Sequence, residues 1–131
     1  MSKKKFYVAV VDDDESFARA LSRLLRASEF EVCTFASAEE FLGATALQPP
    51  DCLVLDMQLG GMSGVELQQR LRELGHPSPI IFVTAHDSAK VRVEAEKAGC
   101  VAYLRKPVSS QTLLEAVATA LGRNGTHSSS R

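Results

Sequence analysis

The sequence predicts an α/β domain in which helices cover both faces of a five-stranded parallel sheet. Short apolar runs alternate with longer segments whose apolar residues recur at helical spacing, which is the pattern of repeated βαβ units. Most of these runs are apolar throughout, as expected for strands buried on both faces of a parallel sheet. The 131 residues, 45% of them hydrophobic and 24% charged, suit one globular domain.

Five apolar runs predict the strands. Val, Ile, Phe and Leu, which suit a pleated and buried surface, dominate most of them. The second run, EVCTF, is the least apolar and is therefore expected at an edge of the sheet. The runs span residues 6–11, 31–35, 52–56, 79–84 and 101–104.

A helix is expected after each strand. Asp14 is placed to cap the first helix. A short polar side chain at the N-cap can accept hydrogen bonds from the free backbone N–H groups of the first turn. Ser37 followed by Glu40 has the spacing of a capping box for the second helix. The prolines at 49–50 separate this helix from the third strand.

The third helix is predicted from Ser63, which has Glu66 three residues on, to a stop at Gly75. Its expected inner face consists of Val65, Leu67, Leu71 and Leu74. Asp87 is expected to cap a fourth helix that ends at Gly99.

The fifth helix is expected to begin after Ser109 or Ser110 and to stop at Gly122. Residues 1–121 are thus expected to form the folded domain. Residues 122–131 are small and polar, which predicts a flexible tail or the start of a linker.

The charge balance excludes some functions. With 16 acidic and 15 basic residues, the net charge is -1. This charge gives no overall electrostatic attraction to nucleic acid or to an anionic membrane, so direct nucleic-acid binding is not expected. The N-terminal apolar stretch is too short for a membrane span or signal peptide. Cys33, Cys52 and Cys100 lie in or beside apolar runs and are expected to be buried thiols in a reducing cytoplasm.

Polar residues stand where the predicted strands end. In open parallel sheets the reactive crevice lies outside the carboxyl ends of the strands. Close carboxylates repel one another by about 4 kcal/mol per pair at a dielectric near 20, so a cation must compensate them. A hard divalent ion such as Mg²⁺ suits such oxygen ligands, and a lysine can bind phosphate. The residues are Asp12, Asp13, Asp14, Asp56, Thr84 and Lys106.

Four motifs, VVDDDESF, VLDMQLGGMSG, FVTAH and AYLRKP, resemble those of bacterial response-regulator receiver domains. The resemblance covers essentially residues 6–121 and implies that residues 1–121 form a receiver domain of a two-component system. It also implies the flavodoxin-like (CheY-like) doubly wound (βα)5 fold with strand order 2-1-3-4-5.

The resemblance implies a phosphorylation site. Asp56 corresponds to the phosphoacceptor, and Asp12 and Asp13 correspond to the metal-binding carboxylates. Asp56 itself and the backbone carbonyl of Gln58 complete the implied ligand set for Mg²⁺ or Mn²⁺. Lys106 corresponds to the lysine that binds the phosphoryl group.

The remaining implied residues control switching and lifetime. Thr84 corresponds to the hydroxyl that contacts the phosphoryl group, and Tyr103 to the aromatic residue that switches with it. Gln58 together with Ala85 and His86 corresponds to positions that modulate the lifetime of the aspartyl phosphate. Pro107 corresponds to a cis proline.

The resemblance implies a signalling switch that catalyses only its own phosphorylation and dephosphorylation. A sensor histidine kinase or a phosphotransfer protein would be the donor. The face formed by the fourth helix, fifth strand and fifth helix would then change shape to act on an output partner, an output domain or a second copy in a homodimer. The sequence of residues 53–121 most resembles that of receivers that precede a helix-turn-helix DNA-binding domain.

Two other functions share parts of this pattern. A phosphatase of the haloacid dehalogenase kind also uses an aspartyl phosphate, but that family has an aspartate where this chain has Gln58. A receiver-like module that only docks would not need the charged residues, all of which are present. One departure from the receiver pattern is Gly60, at a position where the family usually has proline.

Overall fold

In a computed structural model that describes residues 5–44 and 48–122, five strands alternate with five helices. The strands are β1 (Tyr7–Val11), β2 (Glu31–Phe35), β3 (Cys52–Asp56), β4 (Ile80–Thr84) and β5 (Ala102–Arg105). The helices are α1 (Glu15–Ala27), α2 (Ala38–Ala44), α3 (Gly64–Glu73), α4 (Ala89–Ala98) and α5 (Ser110–Ala120). Residues 123–131, most of the predicted tail, lie outside the described residues.

The strands form one parallel sheet in the order β2-β1-β3-β4-β5. This confirms the predicted fold class and strand order. The parallel arrangement brings the carboxyl ends of all five strands to one edge of the sheet, where the sequence places its polar residues. Within residues 5–44 and 48–122, no helix has both the length and the apolar composition needed to cross a membrane.

Two apolar cores lie on opposite faces of the sheet, because successive side chains of a strand point to opposite faces. In β1, Val8 and Val10 pack with α1 and α5, whereas Ala9 and Val11 pack with α2, α3 and α4. Every residue of β3 and β4 is buried. These two strands therefore form the fully covered centre of the sheet. We call the edge formed by the carboxyl ends of the five strands the functional edge.

The edge strand β2 is less covered than the central strands. It pairs with β1 alone, and Val32 is its one buried residue. Cys33 is exposed and Cys100 is half-buried, whereas Cys52 is buried. The expectation of three buried thiols is therefore wrong for Cys33, because a side chain on an edge strand has a neighbouring strand on one side only.

Side-chain caps define most helix starts as predicted. An oxygen of the Asp14 side chain accepts the N–H of Phe17 at 3.1 Å. Ser63 and Glu66 form a complete capping box at the start of α3. Ser109 caps α5 by accepting the N–H of Thr112 at 3.1 Å. These caps fix where each helix leaves the functional edge of the sheet.

Two local expectations are wrong. Ser88, and not Asp87, caps α4, accepting the N–H of Val91 at 3.1 Å, because the Asp87 carboxylate is occupied by other groups described below. Leu74 is 62% exposed. It follows the last residue of α3 and forms the C-cap, so its side chain is beyond the part of the helix that packs on the sheet.

Candidate functional site

The functional edge brings the polar strand ends together. Asp12 directly follows β1, Asp56 ends β3, and Thr84 ends β4. Strand β3 lies between β1 and β4 in the sheet, so Asp56 is central. The Lys106 backbone N–H donates to the Thr84 carbonyl at 2.8 Å, which places Lys106 beside this group of residues.

An acidic cluster occupies the centre of this edge. One carboxylate oxygen from each of Asp12, Asp13 and Asp56 lies within 4.8 Å of the others. Asp12 is 2% exposed and Asp56 is 5% exposed, whereas Asp13 is exposed to solvent. The cluster therefore combines two buried carboxylates with one that solvent reaches.

Backbone N–H groups orient the two buried carboxylates. Oδ1 of Asp12 accepts the N–H of Asp14 at 2.9 Å. Oδ1 of Asp56 accepts the N–H of Gln58 at 3.0 Å. In both residues the second oxygen, Oδ2, is left to face the cation described next.

Lys106 supplies the positive charge of the site. Its Nζ lies 2.8 Å from Oδ2 of Asp12 and 3.6 Å from Oδ2 of Asp56. The same nitrogen lies over the ring of Phe17, 4.2 Å from the ring centroid. The Lys106–Pro107 peptide bond is cis, the isomer that the resemblance implies. We call Asp12, Asp13, Asp56 and Lys106 the pocket cluster.

The environment makes Asp56 a weaker acid than an ordinary aspartate. Burial is the main cause and raises the pKa of Asp56 to about 6. The N–H of Gln58 opposes this rise, the negative charge of Asp12 adds to it, and the Lys106 ammonium lowers the pKa in part. The positive charge of Lys106 alone therefore does not compensate the negative charges of the surrounding carboxylates.

The residues present fit a divalent cation. Three carboxylates converge, and oxygen is the ligand atom that hard cations prefer. Apart from the Lys106 ammonium, no group in the described part of the chain donates a hydrogen bond to the buried Oδ2 of Asp12. A metal ion would satisfy this oxygen and compensate the excess negative charge.

Thr84 is fully buried at the end of β4. Its hydroxyl oxygen accepts the N–H of His86 at 3.0 Å, which leaves the hydroxyl proton able to donate to another acceptor. Gln58, Ala85 and His86 are exposed on the loops that follow β3 and β4. The predicted modulating residues therefore lie at the mouth of the site, outside its buried floor.

Tyr103 belongs to a second group of charged residues, on the surface. Its hydroxyl donates to Oδ1 of Asp87 at 2.6 Å, and the Arg92 guanidinium lies 4.7 Å from its ring centroid. Oδ2 of Asp87 lies 3.4 Å from Arg92 and 3.6 Å from Arg105. We call Asp87, Arg92, Tyr103 and Arg105 the surface cluster. Thr84 and Tyr103, the predicted switch pair, thus make separate hydrogen bonds.

The surface cluster shifts the pKa of two of its members. Burial raises the pKa of Tyr103 to about 12, and the Asp87 carboxylate adds to this rise. The Tyr103 hydroxyl, and then the positive charge of Arg92, lower the pKa of Asp87. Asp87 is therefore stabilised as a carboxylate, in contrast to Asp56.

The first turn of α3 lies against the backbone of Asp56. A Cβ on Gly64 would overlap the carbonyl oxygen of Asp56 and would lie 3.0 Å from Cα of Met57. The Gly64 N–H donates to the Met57 carbonyl at 3.2 Å. Glycine is therefore required at this position by close approach, and α3 supports the main chain that carries Asp56.

Sequence reasoning missed two contributors. Phe17 was assigned no functional role, and Asp87 was assigned only to a helix cap. Phe17 stands in the first turn after the acidic run, which is a signal that its ring lies near the functional edge. The partners of Asp87 lie in α4 and β5, and no local pattern links them to Asp87.

A profile of the response regulator receiver domain matches residues 8–118. The chain belongs to this family, as its motifs predict. It is 43% identical over 120 residues to nodulation protein W of Bradyrhizobium diazoefficiens, covering 92% of this chain and 53% of that protein. It is 42% identical over 117 residues to transcriptional regulatory protein TdiR of Thauera aromatica, covering 89% of this chain and 52% of that protein.

Solved structures agree with this assignment. A response regulator receiver protein from Burkholderia phymatum superposes with a TM-score of 0.80 at 45% identity, covering 90% of this chain and 96% of that chain. The chain spans about half the length of the two named relatives, 53% and 52% respectively.

Proposed function

We propose that this chain is a phosphorylation-controlled switch in which Asp56 accepts a phosphoryl group from a phosphohistidine. The donor would be a sensor histidine kinase or a phosphotransfer protein. The observation that carries the proposal is the buried Asp56 carboxylate, which has an excess of acids around it and Lys106 3.6 Å away. Membership of the receiver family supports the same assignment.

In the transfer, an oxygen of Asp56 forms a bond to phosphorus while the bond between phosphorus and the donor imidazole nitrogen breaks. The imidazole leaves with the electron pair of that bond. Oδ1 of Asp56 is engaged by the Gln58 N–H, so Oδ2 is the attacking atom. It must be ionised to attack, which a pKa of about 6 permits at neutral pH.

Charge compensation makes the transfer feasible. Mg²⁺, or Mn²⁺ in its place, bound by Asp12, Asp13, Asp56 and the Gln58 carbonyl, would supply charge neutralisation between the carboxylate and the phosphoryl oxygens. Lys106 provides a second positive charge within reach of the same oxygens. Thr84 can donate its hydroxyl proton to a phosphoryl oxygen.

Phosphorylation adds a charge of about -1.5 to -2 at neutral pH, which favours a different arrangement of the neighbouring side chains. Thr84 moves toward the phosphoryl group, Tyr103 packs inward behind it, and the face made by α4, β5 and α5 changes shape. Gln58, Ala85 and His86 line the approach of water and so modulate the lifetime of the aspartyl phosphate. The chain performs no other catalysis.

The changed face would act on an output. Candidate outputs are a further domain, a separate partner or a second copy of this chain. The printed name of one relative, a transcriptional regulatory protein, supports an output in control of transcription. This chain itself would not bind nucleic acid or membrane, and a cytoplasmic location suits its free cysteines.

The test is intact mass after incubation with acetyl phosphate, with and without Mg²⁺. We expect one phosphoryl group on the wild-type chain, dependent on metal and absent from Asp56→Asn. The matched control is Asp14→Asn, which makes the same chemical change in the acidic run and keeps a good N-cap. Absence of any adduct would favour a docking module, and sustained hydrolysis of a phosphate ester would favour a phosphatase.

A further inference from the structure

Phe17 contacts the cation of the pocket cluster. Lys106 Nζ lies over its ring, 4.2 Å from the centroid, within the range in which the electron-rich ring face attracts an ammonium group. The side chain of Lys106 is 11% exposed, so water competes little with this attraction. Phe17 is in α1 and Lys106 follows β5, so the contact is made by the fold.

The position of the ring is itself fixed. The Phe17 N–H donates to the Asp14 side chain as part of the α1 cap. The Phe17 side chain is half-buried and packs against the apolar core formed with α1 and α5. Because both the main chain and the side chain of Phe17 are held in place, its ring can restrict the more flexible lysine side chain that lies over it.

We infer that Phe17 is a positioning residue that holds the Lys106 ammonium over the acidic cluster, ready for the phosphoryl group. The inference rests on the proposed function of Asp56. A lysine has four rotatable carbon–carbon bonds in its side chain, and ordering it has an entropic cost. In the described structure the ammonium is nearer to Asp12, at 2.8 Å, than to Asp56, at 3.6 Å. The ring limits how far it can turn toward solvent.

The experiment compares Phe17→Leu with Phe17→Tyr. Leucine keeps an apolar side chain but has no ring face, whereas tyrosine keeps the ring. We expect the rate of phosphorylation by acetyl phosphate, at saturating Mg²⁺, to fall about 2- to 30-fold in Phe17→Leu, the range of one cation–π contact. Phe17→Tyr should keep a rate close to wild type. Phe6→Leu, at a 40% exposed position before β1, is the matched control and should have no effect.

A second readout follows the contact directly. The ε-methylene protons of Lys106 should be shifted upfield in the proton NMR spectrum by the ring current of Phe17. The shift should persist in Phe17→Tyr and disappear in Phe17→Leu. A general loss of structure would instead move many resonances and lower the midpoint of urea unfolding.

The outcomes separate the inference from the function on which it rests. Wild-type protein that takes up no phosphoryl group would overturn the proposed function and the inference with it. Normal phosphorylation of wild type with an equal rate in Phe17→Leu would overturn the inference alone. Absence of the upfield shift in wild type, or equal slowing in the leucine and tyrosine variants, would also overturn it.

Discussion

Asp56 of the pocket cluster and Asp87 of the surface cluster have pKa values shifted in opposite directions. Asp56 is buried among other acids, and burial raises its pKa to about 6. Asp87 is paired with a phenol and two guanidinium groups, and the Tyr103 hydroxyl leads the lowering of its pKa. Burial and the local charge balance, and not the residue type, therefore decide whether the pKa of a carboxyl group is raised or lowered.

This difference suits different tasks. An acidic pocket with one lysine is stabilised by a metal ion or by any change that relieves repulsion, which favours the binding of a cation. An exposed set of ion pairs contributes little to stability and is screened by salt. Its members can therefore rearrange at low cost. The first arrangement favours chemistry, and the second favours a reversible change of surface.

The largest effect should come from removing the negative charge of Asp56. For an acid whose pKa is raised by folding, the folded state binds the proton more tightly, so stability is lost as pH rises from 3.8 through about 6. This rise in pKa corresponds to about 3 kcal/mol. In EDTA at pH 7.5, Asp56→Asn should therefore be more stable than wild type by up to about 3 kcal/mol.

Urea unfolding followed by far-ultraviolet circular dichroism measures this, since the chain has no tryptophan. The advantage of the asparagine variant should vanish near pH 4, and Mg²⁺ should reduce it at pH 7.5 by stabilising wild type. A variant that is no more stable than wild type at pH 7.5 would contradict the picture of an electrostatically unfavourable pocket.

The next effect should come from the backbone beneath the pocket. Gly64→Ala places a Cβ against the Asp56 carbonyl, so α3 or the acceptor loop must shift. Overpacking of this kind costs about 1–3 kcal/mol. We expect lower stability in urea and slower phosphorylation.

Gly60→Ala is the control for this change, because a Cβ at Gly60 meets nothing within 4 Å. Gly60 lies in the loop that precedes α3, and its substitution should leave the free energy of unfolding nearly unchanged. Equal destabilisation by both substitutions would show that loop flexibility, and not close approach, explains the glycine at 64.

The smallest effect should come from the surface cluster. Tyr103→Phe removes the hydrogen bond to Asp87, so the pKa of Asp87 should rise toward its ordinary value. The melting temperature should change by less than about 4 °C, because an exposed interaction contributes little. The carbon-13 NMR titration of the Asp87 carboxyl measures the first effect. An unchanged Asp87 titration would mean that the arginines alone set its acidity.

Much of the fold was predictable because its signals are local. Continuous apolar runs identify β3 and β4, and the weaker EVCTF run identifies the edge strand β2. Asp14, Ser63 and Ser109 were correct as caps because each directly precedes its helix and its side chain accepts an N–H of the first helical turn. The carboxyl ends of parallel strands meet at one edge, so the convergence of Asp12, Asp56 and Thr84 also followed from the pattern.

What could not be predicted depends on contacts between distant elements. Asp87 and Ser88 are both good N-caps, and the choice between them is made by Tyr103, 16 residues from Asp87. The closer approach of Lys106 to Asp12 than to Asp56 depends on side-chain angles. The stacking of Lys106 on Phe17 likewise needs the start of α1 and the segment after β5 to meet at one edge of the sheet, which no spacing in the sequence reports.

Strand β5 has a consequence for how a signal could leave the pocket. Arg105, its last residue, belongs to the surface cluster, and the next residue, Lys106, belongs to the pocket cluster. One peptide bond joins them. A movement of the main chain that draws Lys106 toward a bound anion must also displace Arg105. The link between the pocket cluster and the surface cluster is therefore covalent. It does not depend on a chain of side-chain contacts that one substitution could interrupt.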